Sequence, residues 1–294
     1  DKEIELNYDT FIPLTFAHKI KKAGENSALW KQFIPRQVEA EKTGLIDPIG
    51  DKKKSKGNGI IKRYKNRILF TPTMNCPIIC RYCFRKNELS HKDEIFKKDL
   101  TKLKQFILED QSINEVILTG GDPLVLADKK IQEIADLLSQ TKIKYLRFHT
   151  RTPIILPKRI DDNFVNLMKN LTKSFKKVIF VLHTNHADEI DTEVELHLKK
   201  LTNIPGLELK TQSVLLKGVN NSYQQLKALF DKVLDVNFTP YYLHHPDQAR
   251  GTMHFWLPLE EGRRIYNSLR SEFPGWAIPH YIICLLYTSD AADD

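Results

Sequence analysis

Three of the four cysteines of this 294-residue chain fall within eight positions: Cys76, Cys80 and Cys83. Three thiolates spaced Cys-x3-Cys-x2-Cys on one loop can hold three irons of a cubane 4Fe–4S cluster and leave the fourth iron open to a ligand that is not protein. Zinc is the other metal that thiolates favour. A structural zinc site is closed by four ligands, and His91 is the local candidate for the fourth. Inert cysteines are common in cores, but the tight spacing and the flanking Arg81 and Arg85 speak against that reading. Thiol–disulfide exchange works with two cysteines, and a third fits it poorly. Four cysteines in so long a chain are too few for a disulfide scaffold, so a reducing, cytoplasmic setting is expected.

Such a loop needs a scaffold to hold it. From residue 61 onward, short β-branched runs alternate with amphipathic patterns. The runs 68–71, 115–119, 145–149, 178–183, 208–216 and 236–243 read as strands. Between them Leu100, Leu103, Phe106 and Ile107 share one helical face, as do Ile131, Ile134, Ala135 and Leu138. Leu226, Leu229, Phe230 and Val233 form another, after Asn220-Asn221-Ser222, which offers N-caps. Six βα units in series predict a parallel sheet, open or closed into a barrel.

Each predicted strand carries polar residues at its C-terminal end. These are the cysteine loop, Gly120-Gly121-Asp122, His149-Thr150-Arg151, His183-Thr184-Asn185-His186, Gln212-Ser213 and His244-His245-Pro246-Asp247. Parallel α/β folds bind ligands at that edge, so six clusters in register predict one shared site. Residues 1–60 read as an accessory region. It has a short helical pattern from Ala28 to Ile34 closed by Pro35, a turn at Asp47-Pro48-Ile49-Gly50, and an exposed loop over 52–58.

Composition removes several classes. With 41% hydrophobic and 28% charged residues, 12 Gly and 14 Pro, the chain is not collagen-like, mucin-like or wholly disordered. No apolar run reaches the roughly 18 residues of a membrane span. The net charge of +8 arises from 45 Lys and Arg against 37 Asp and Glu. The lysines are spread along nearly every segment, densest at Asp51-Lys52-Lys53-Lys54-Ser55-Lys56, and read as a solvated surface. A zinc-stabilised nucleic-acid-binding protein would use both the charge and the cysteines. It leaves the strand-end clusters without a purpose, and the sequence has no aromatic-rich basic strand of the RNA-binding kind.

Together the motifs resemble a known family. The cysteine spacing, with Tyr82 before the last cysteine, resembles the cluster loop of radical S-adenosylmethionine enzymes. Within that superfamily, Arg63-Tyr64-Lys65-Asn66-Arg67, Cys83-Phe84-Arg85, Thr119-Gly120-Gly121-Asp122-Pro123-Leu124 and His183-Thr184-Asn185-His186 look like lysine 2,3-aminomutases. So do Gln212-Ser213-Val214-Leu215-Leu216-Lys217-Gly218-Val219-Asn220 and Pro240-Tyr241-Tyr242, and the likeness covers about residues 45–283.

The resemblance implies an α/β fold, a partial (β/α)6 TIM-like barrel over 61–283 with an N-terminal, mostly helical extension over 1–60. It implies a 4Fe–4S cluster, S-adenosylmethionine and pyridoxal phosphate as cofactors. The implied reaction moves the α-amino group of L-lysine to the β-carbon. A branch of the family supplies β-lysine for modification of elongation factor P, and Asp47-Pro48-Ile49-Gly50-Asp51 somewhat resembles it. Other members act on other amino acids. Implied partners are an amino-acid substrate, a one-electron donor such as flavodoxin or ferredoxin, and further copies of the chain in a homo-oligomer, with no nucleic acid and no membrane.

By position, Cys76, Cys80 and Cys83 match the cluster ligands. Gly120, Gly121, Asp122 and Pro123 match the segment beside the methionyl ammonium, where glycines allow close backbone approach. His183, Asn185 and Gln212 match polar positions facing S-adenosylmethionine or the ring cofactor. Arg63 and Arg67 match arginines on the pyridoxal phosphate phosphate, which suits guanidinium forks. Arg85 matches the arginine that pairs with the substrate α-carboxylate. Asp247 matches an acid facing the distal ammonium of lysine, a role a buried carboxylate would fit.

The resemblance fails after Ile283. There the family continues with an aspartate and a Pro-Gly-Gly-x-Gly-Lys segment whose lysine forms the Schiff base with pyridoxal phosphate. This chain reads Cys284-Leu285-Leu286-Tyr287-Thr288-Ser289, then a short acidic end; no Gly follows Gly275 and no Lys follows Lys232. That lysine is therefore absent. The tail 284–294 is expected to be foreign sequence fused to a fragment, with Cys284 carrying no meaning as a ligand.

Overall fold

The computed structural model describes residues 10–89 and 98–284. His91, the first nine residues and the tail beyond Cys284 lie outside the described residues.

Three helices come first: α1 (Leu14–Ala23), α2 (Ala28–Phe33) and α3 (Asp51–Lys54). A two-residue strand, β1 (Ile60–Ile61), then runs antiparallel to β2 (Arg67–Thr73). After β2 come α4 (Lys86–Leu89) and α5 (Leu100–Glu109), then β3 (Glu115–Gly120) and α6 (Asp128–Ser139). β4 (Tyr145–Thr150) leads into α7 (Thr152–Ile155) and α8 (Asp162–Ser174), and β5 (Lys177–His183) into α9 (Thr192–Lys199). β6 (Leu207–Val214), α10 (Tyr223–Asp235), β7 (Thr239–His244), α11 (Leu259–Glu272) and β8 (His280–Ile282) complete the chain. The eight strands stand in sequence order, and every pair from β2 to β8 is parallel. The sheet is open, with β1 and β8 at its edges. This is the parallel sheet that the alternating pattern predicts, in the open, partial TIM-like form that the family resemblance implies.

Period-two alternation sorts the strand residues to two faces. Val116, Leu118, Leu146, Phe148, Val178, Phe180 and Leu182 are buried in one core with Leu103 and Ile107 of α5, Ile131 of α6, Phe164 of α8 and Leu226 and Phe230 of α10. Each fully buried Leu or Phe there contributes about 1.5–3 kcal/mol. The residues between them face the barrel interior: Glu115, Arg147, His149, His183, then Gln212 paired with His183, and His244 paired with Val214. The interior carries these polar groups beside Ile117, Ile179 and Val181, and the core lies between sheet and helices. Asp99, Asp161, Asp191 and Ser222 cap α5, α8, α9 and α10 with side-chain oxygens. Among the described residues, no helix is long and apolar enough to cross a membrane.

Three expectations need correction. β6 stops at Val214 rather than 216, because Asn220 Oδ1 accepts the Leu216 amide at 2.6 Å and turns the chain. β7 begins at Thr239 rather than 236, because α10 runs to Asp235 and Asn237 takes a left-handed φ of 60° to leave it. The lysine-rich segment begins as a helix, not a loop. Gly50 turns at φ 69°, and the Asp47 carboxylate accepts the amides of Asp51 at 2.8 Å and Lys52 at 3.0 Å. Asp51 is consequently buried, with 0% of its surface exposed.

Candidate active site

β2 ends at Thr73, and the cysteine loop follows directly. The glycine turn after β3 lies on it: Gly121 N donates to Thr73 O at 2.9 Å and Asp122 N to Asn75 O at 2.8 Å. Contact, not flexibility alone, requires the glycines. A Cβ on Gly120, whose φ is 103°, would stand 2.2 Å from Thr71 Cγ2, and one on Gly121 would stand 2.4 Å from Asn75 O. Pro123 is buried at the first position of a 3-10 turn over Pro123–Val125. The Asp122 carboxylate spends its acceptor capacity within the chain. Oδ1 accepts from Leu124 N (3.0 Å) and Thr150 Oγ1 (2.7 Å); Oδ2 accepts from Arg151 N (2.6 Å) and Thr152 N (2.8 Å). Those four bonds match the roughly four lone-pair sites of a carboxylate and lock the end of β3 to the end of β4. Burial nonetheless pushes its pKa up.

All three loop cysteines are free thiols. Burial pushes each of them up, Cys83 to about 11, and for Cys76 the charges of Asp122 and of the other two sulfurs add to the shift. The sulfurs thus sit close enough to repel one another as thiolates, a cost that bound iron cations would offset. Among the described residues no three His, Cys, Asp or Glu side chains converge on a point that one ion could share. A zinc ion would need its sulfurs about 2.3 Å from a single centre. In a cubane each cysteine meets its own iron, and three free thiols on one loop are the donor set that such a cluster takes.

The cations around this loop are held by residues to which the sequence assigned no site role. Glu39, 2% exposed, accepts Arg81 Nε at 3.1 and 3.0 Å, Arg81 Nη2 at 2.6 Å and Lys86 Nζ at 2.9 Å. Burial would raise Glu39, but these two cations hold it below the usual carboxylate range. Glu189 pairs with Arg151 at 2.8 Å and also accepts from Thr184 Oγ1 and Gln32 Nε2, at 2.9 Å each. Gln32 Oε1 in turn accepts from Arg151 Nη2 (3.1 Å) and Asn185 Nδ2 (3.0 Å). Asp51 bridges Arg63, with Nη2 at 2.5 Å, and Arg85, with Nε at 3.0 Å and Nη2 at 2.6 Å. Residues of the N-terminal extension thus form one wall of the site.

The remaining candidates are placed as follows. His183 Nε2 lies 2.8 Å from the Tyr82 hydroxyl, and burial, then Arg151, hold its pKa well below the usual value. Asn185 is fully buried; its Oδ1 accepts Val214 N at 2.8 Å and its carbonyl accepts Asn220 Nδ2 at 2.8 Å. Gln212 faces the interior beside His183. Arg67 opens β2 with its guanidinium 3.7 Å over the Tyr64 ring. Asp247 lines a cavity of about 170 Å³ with Leu45, Trp256 and Cys284. Burial pushes it up to about 7, and no described side chain bonds its carboxylate. Deeper in the barrel, His149 Nε2 is buried without a partner among the described residues, and burial depresses His149 strongly and His244 to about 4. Arg63 is held by Asp51, whereas Arg67 opens β2, at the end of that strand away from the cysteine loop.

A sequence profile for a 4Fe-4S single cluster domain matches residues 56–156, the stretch that carries the loop and the glycine turn. Two solved structures share the fold. Streptococcus suis SuiB bound to precursor peptide SuiA has a TM-score of 0.54 at 14% identity, over 76% of this chain and 50% of that one. A radical SAM methyltransferase from Sphaerobacter thermophilus has a TM-score of 0.52 at 12% identity, over 76% and 68%. At these identities the likeness is one of fold. Sequence narrows it further. L-lysine 2,3-aminomutase of Buchnera aphidicola is 36% identical over 95% of this chain and 82% of its own length. That of Haemophilus influenzae is 34% identical over 91% and 79%, and glutamate 2,3-aminomutase of Clostridioides difficile is 32% identical over 85% and 59%. The chain belongs to the lysine 2,3-aminomutase family.

Proposed function

We propose that the protein is a radical S-adenosylmethionine 2,3-aminomutase that converts L-lysine to β-lysine. The observation that carries this reading is the seating of the Gly120-Gly121 turn directly on the residue before Cys76, which joins three thiols and a close-approach backbone in one place. A bound cluster with S-adenosylmethionine would supply a carbon radical able to take hydrogen from an unactivated C–H bond. The chain's own part is positional. Cys76, Cys80 and Cys83 hold the cluster, and the polar end of the barrel, with Gly120 to Pro123, His183, Asn185 and Gln212, receives the nucleoside and the ring cofactor. Arg63 and Arg67 take a phosphate, Arg85 the substrate carboxylate.

Asp247 favours lysine over glutamate. A carboxylate in a cavity, without a partner among the described side chains, is satisfied by a cationic side chain and opposed by an anionic one. The reading also includes pyridoxal phosphate, a flavodoxin-like or ferredoxin-like electron donor, a homo-oligomer and a reducing compartment.

Anaerobic purification tests the class. A brown protein with bound iron and sulfide is expected, and Ala in place of Cys76, Cys80 or Cys83 should each abolish both iron loading and reductive cleavage of S-adenosylmethionine. Cys284→Ala should change neither. A colourless zinc protein, or full iron in any one loop variant, overturns the assignment.

A further inference from the structure

Asp51 stands in the most lysine-rich stretch of the chain, yet it is fully buried and holds two arginines at once. Its Oδ1 takes one nitrogen of Arg63, at 2.5 Å. Its Oδ2 takes both Nε and Nη2 of Arg85. Its backbone is equally fixed, since Asp47 accepts its amide and the next one, and Gly50 turns the chain into α3. Burial works against the charge on Asp51, but Arg85 and Arg63 outweigh it and keep the carboxyl ionised, while Arg85 is held protonated in return.

A guanidinium offers two edges to carboxylates, the side edge with Nε and the terminal edge between its two Nη atoms. Asp51 occupies the side edge of Arg85. Nη1 of Arg85 has no hydrogen-bond partner among the described residues. On the reading that Arg85 meets the substrate, we propose that Asp51 is a positioning residue. It clamps the side edge of Arg85 so that the terminal edge is presented, in a fixed orientation, to the carboxylate of an α-amino acid. The opposite role, a plug that competes with the substrate for Arg85, would require Asp51 to swing away from two guanidinium groups at once. Its pinned backbone and its use of one edge alone argue for the clamp.

The test measures binding, not turnover. The anaerobically reconstituted protein is titrated calorimetrically with L-lysine and with lysinamide, whose carboxylate is replaced by an amide. The variants are Asp51→Asn, Asp47→Ala and Arg85→Gln, with iron content as the control for folding. Asp51→Asn is expected to weaken L-lysine binding at least tenfold and to leave lysinamide within twofold. Asp47→Ala, which frees the backbone while keeping the carboxylate, should show the same selectivity with a smaller loss, and it decides the matter if Asp51→Asn fails to fold. Tighter lysine binding in Asp51→Asn makes Asp51 a plug and overturns the clamp. Equal losses for both ligands reduce it to a general structural role and do the same. No change in Asp51→Asn while Arg85→Gln loses lysine overturns the clamp alone. No change in Arg85→Gln removes the assignment of Arg85 on which the clamp rests.

Discussion

Tyr82, the residue before the last cysteine of the loop, meets His183 at the end of β5. The hydroxyl lies 2.8 Å from Nε2, and the rings stack 5.7 Å apart at 13°. Arg151 Nη1 donates to the same hydroxyl. Arginine can only donate, so the hydroxyl oxygen accepts from Nη1 and keeps its own proton for Nε2 in the tautomer whose imidazole hydrogen is on Nδ1. One side chain thus ties the cluster loop to the ends of two strands. Tyr82→Phe keeps the ring and its edge contact with Phe255, but leaves Nη1 and Nε2 unpaired. A loss of about 1–3 kcal/mol is expected for each buried group so stranded. It should appear as a lower urea midpoint at constant slope, and an unchanged midpoint would count against the network.

Glu39→Gln should be among the most damaging single substitutions. It leaves Arg81 and Lys86, both essentially unexposed, without their shared anion. Breaking such a buried pair costs about 3–5 kcal/mol. Urea unfolding at pH 7 measures the loss. Adding Lys86→Met to Glu39→Gln should recover part of it, since one of the two buried cations that share Glu39 is then gone.

Gly121→Ala tests whether the glycine turn truly sits on the loop. The new methyl would meet backbone atoms of Met74 and Asn75 at 2.4–2.8 Å, so the loop itself must shift. Overpacking of this kind costs about 1–3 kcal/mol, and iron content should fall with it. Gly275→Ala, with nothing within 4 Å, should stay within about 0.5 kcal/mol. Full iron loading in Gly121→Ala would refute the contact.

The binding of lysine should depend on pH through Asp247. Its pKa is raised to about 7 from the ordinary 3.8 by burial, then lowered somewhat by Arg63 and raised by Asp51, with Cys284 beside it. The folded protein therefore keeps a proton that the unfolded chain releases near pH 4, and Asp247 costs stability progressively as pH rises from about 4 to 7. Substrate binding runs the other way, because an ammonium needs the ionised form. Lysine should bind about tenfold more tightly at pH 8 than at pH 6, the span over which such a group titrates. Norleucine should show no such slope, and Asp247→Asn should abolish it. A flat lysine profile would remove Asp247 from the side-chain site.

The parts of the molecule written in local pattern were legible before any coordinates. Alternation along 145–150 and the Leu226, Leu229, Phe230 and Val233 stripe report burial within a few residues, so strands and helix faces fell close to their observed bounds. The cysteine spacing and the Gly-Gly turn were legible for the same reason. Gln32, Glu39, Asp51 and Glu189 were not. Each is a common polar residue whose meaning comes from a partner 34 to 157 positions away. Among lysines, Asp51 looks like one more solvated charge. Asp122 shows a different difficulty: a motif says that a carboxylate belongs there but not which donors will satisfy it. Asn220, read as a helix cap, instead holds the backbone of Asn185 and Val214.

The wall that the N-terminal extension gives to the site has a history as well as a shape. Gln32 bonds to residues 153 and 157 positions ahead of it, Lys31 reaches 187 positions to Gly218, and Lys86 reaches 165 to Gly251. A chain emerging from the ribosome presents the three thiols when β5, β6 and β7 do not yet exist. Closing loops of that span is repaid only when the distant partners arrive. The contacts of Glu39 and Asp51 with Arg81, Lys86 and Arg85 lie within the first 86 residues, whereas Asn185 and Glu189, which bond Gln32, and Gly218, which bonds Lys31, come only after β5. Iron delivered early meets sulfur ligands on a loop whose partners on the later strands are still to come, and iron delivered late must enter a finished chamber, so the timing of cofactor supply relative to translation is part of how this fold becomes a working protein.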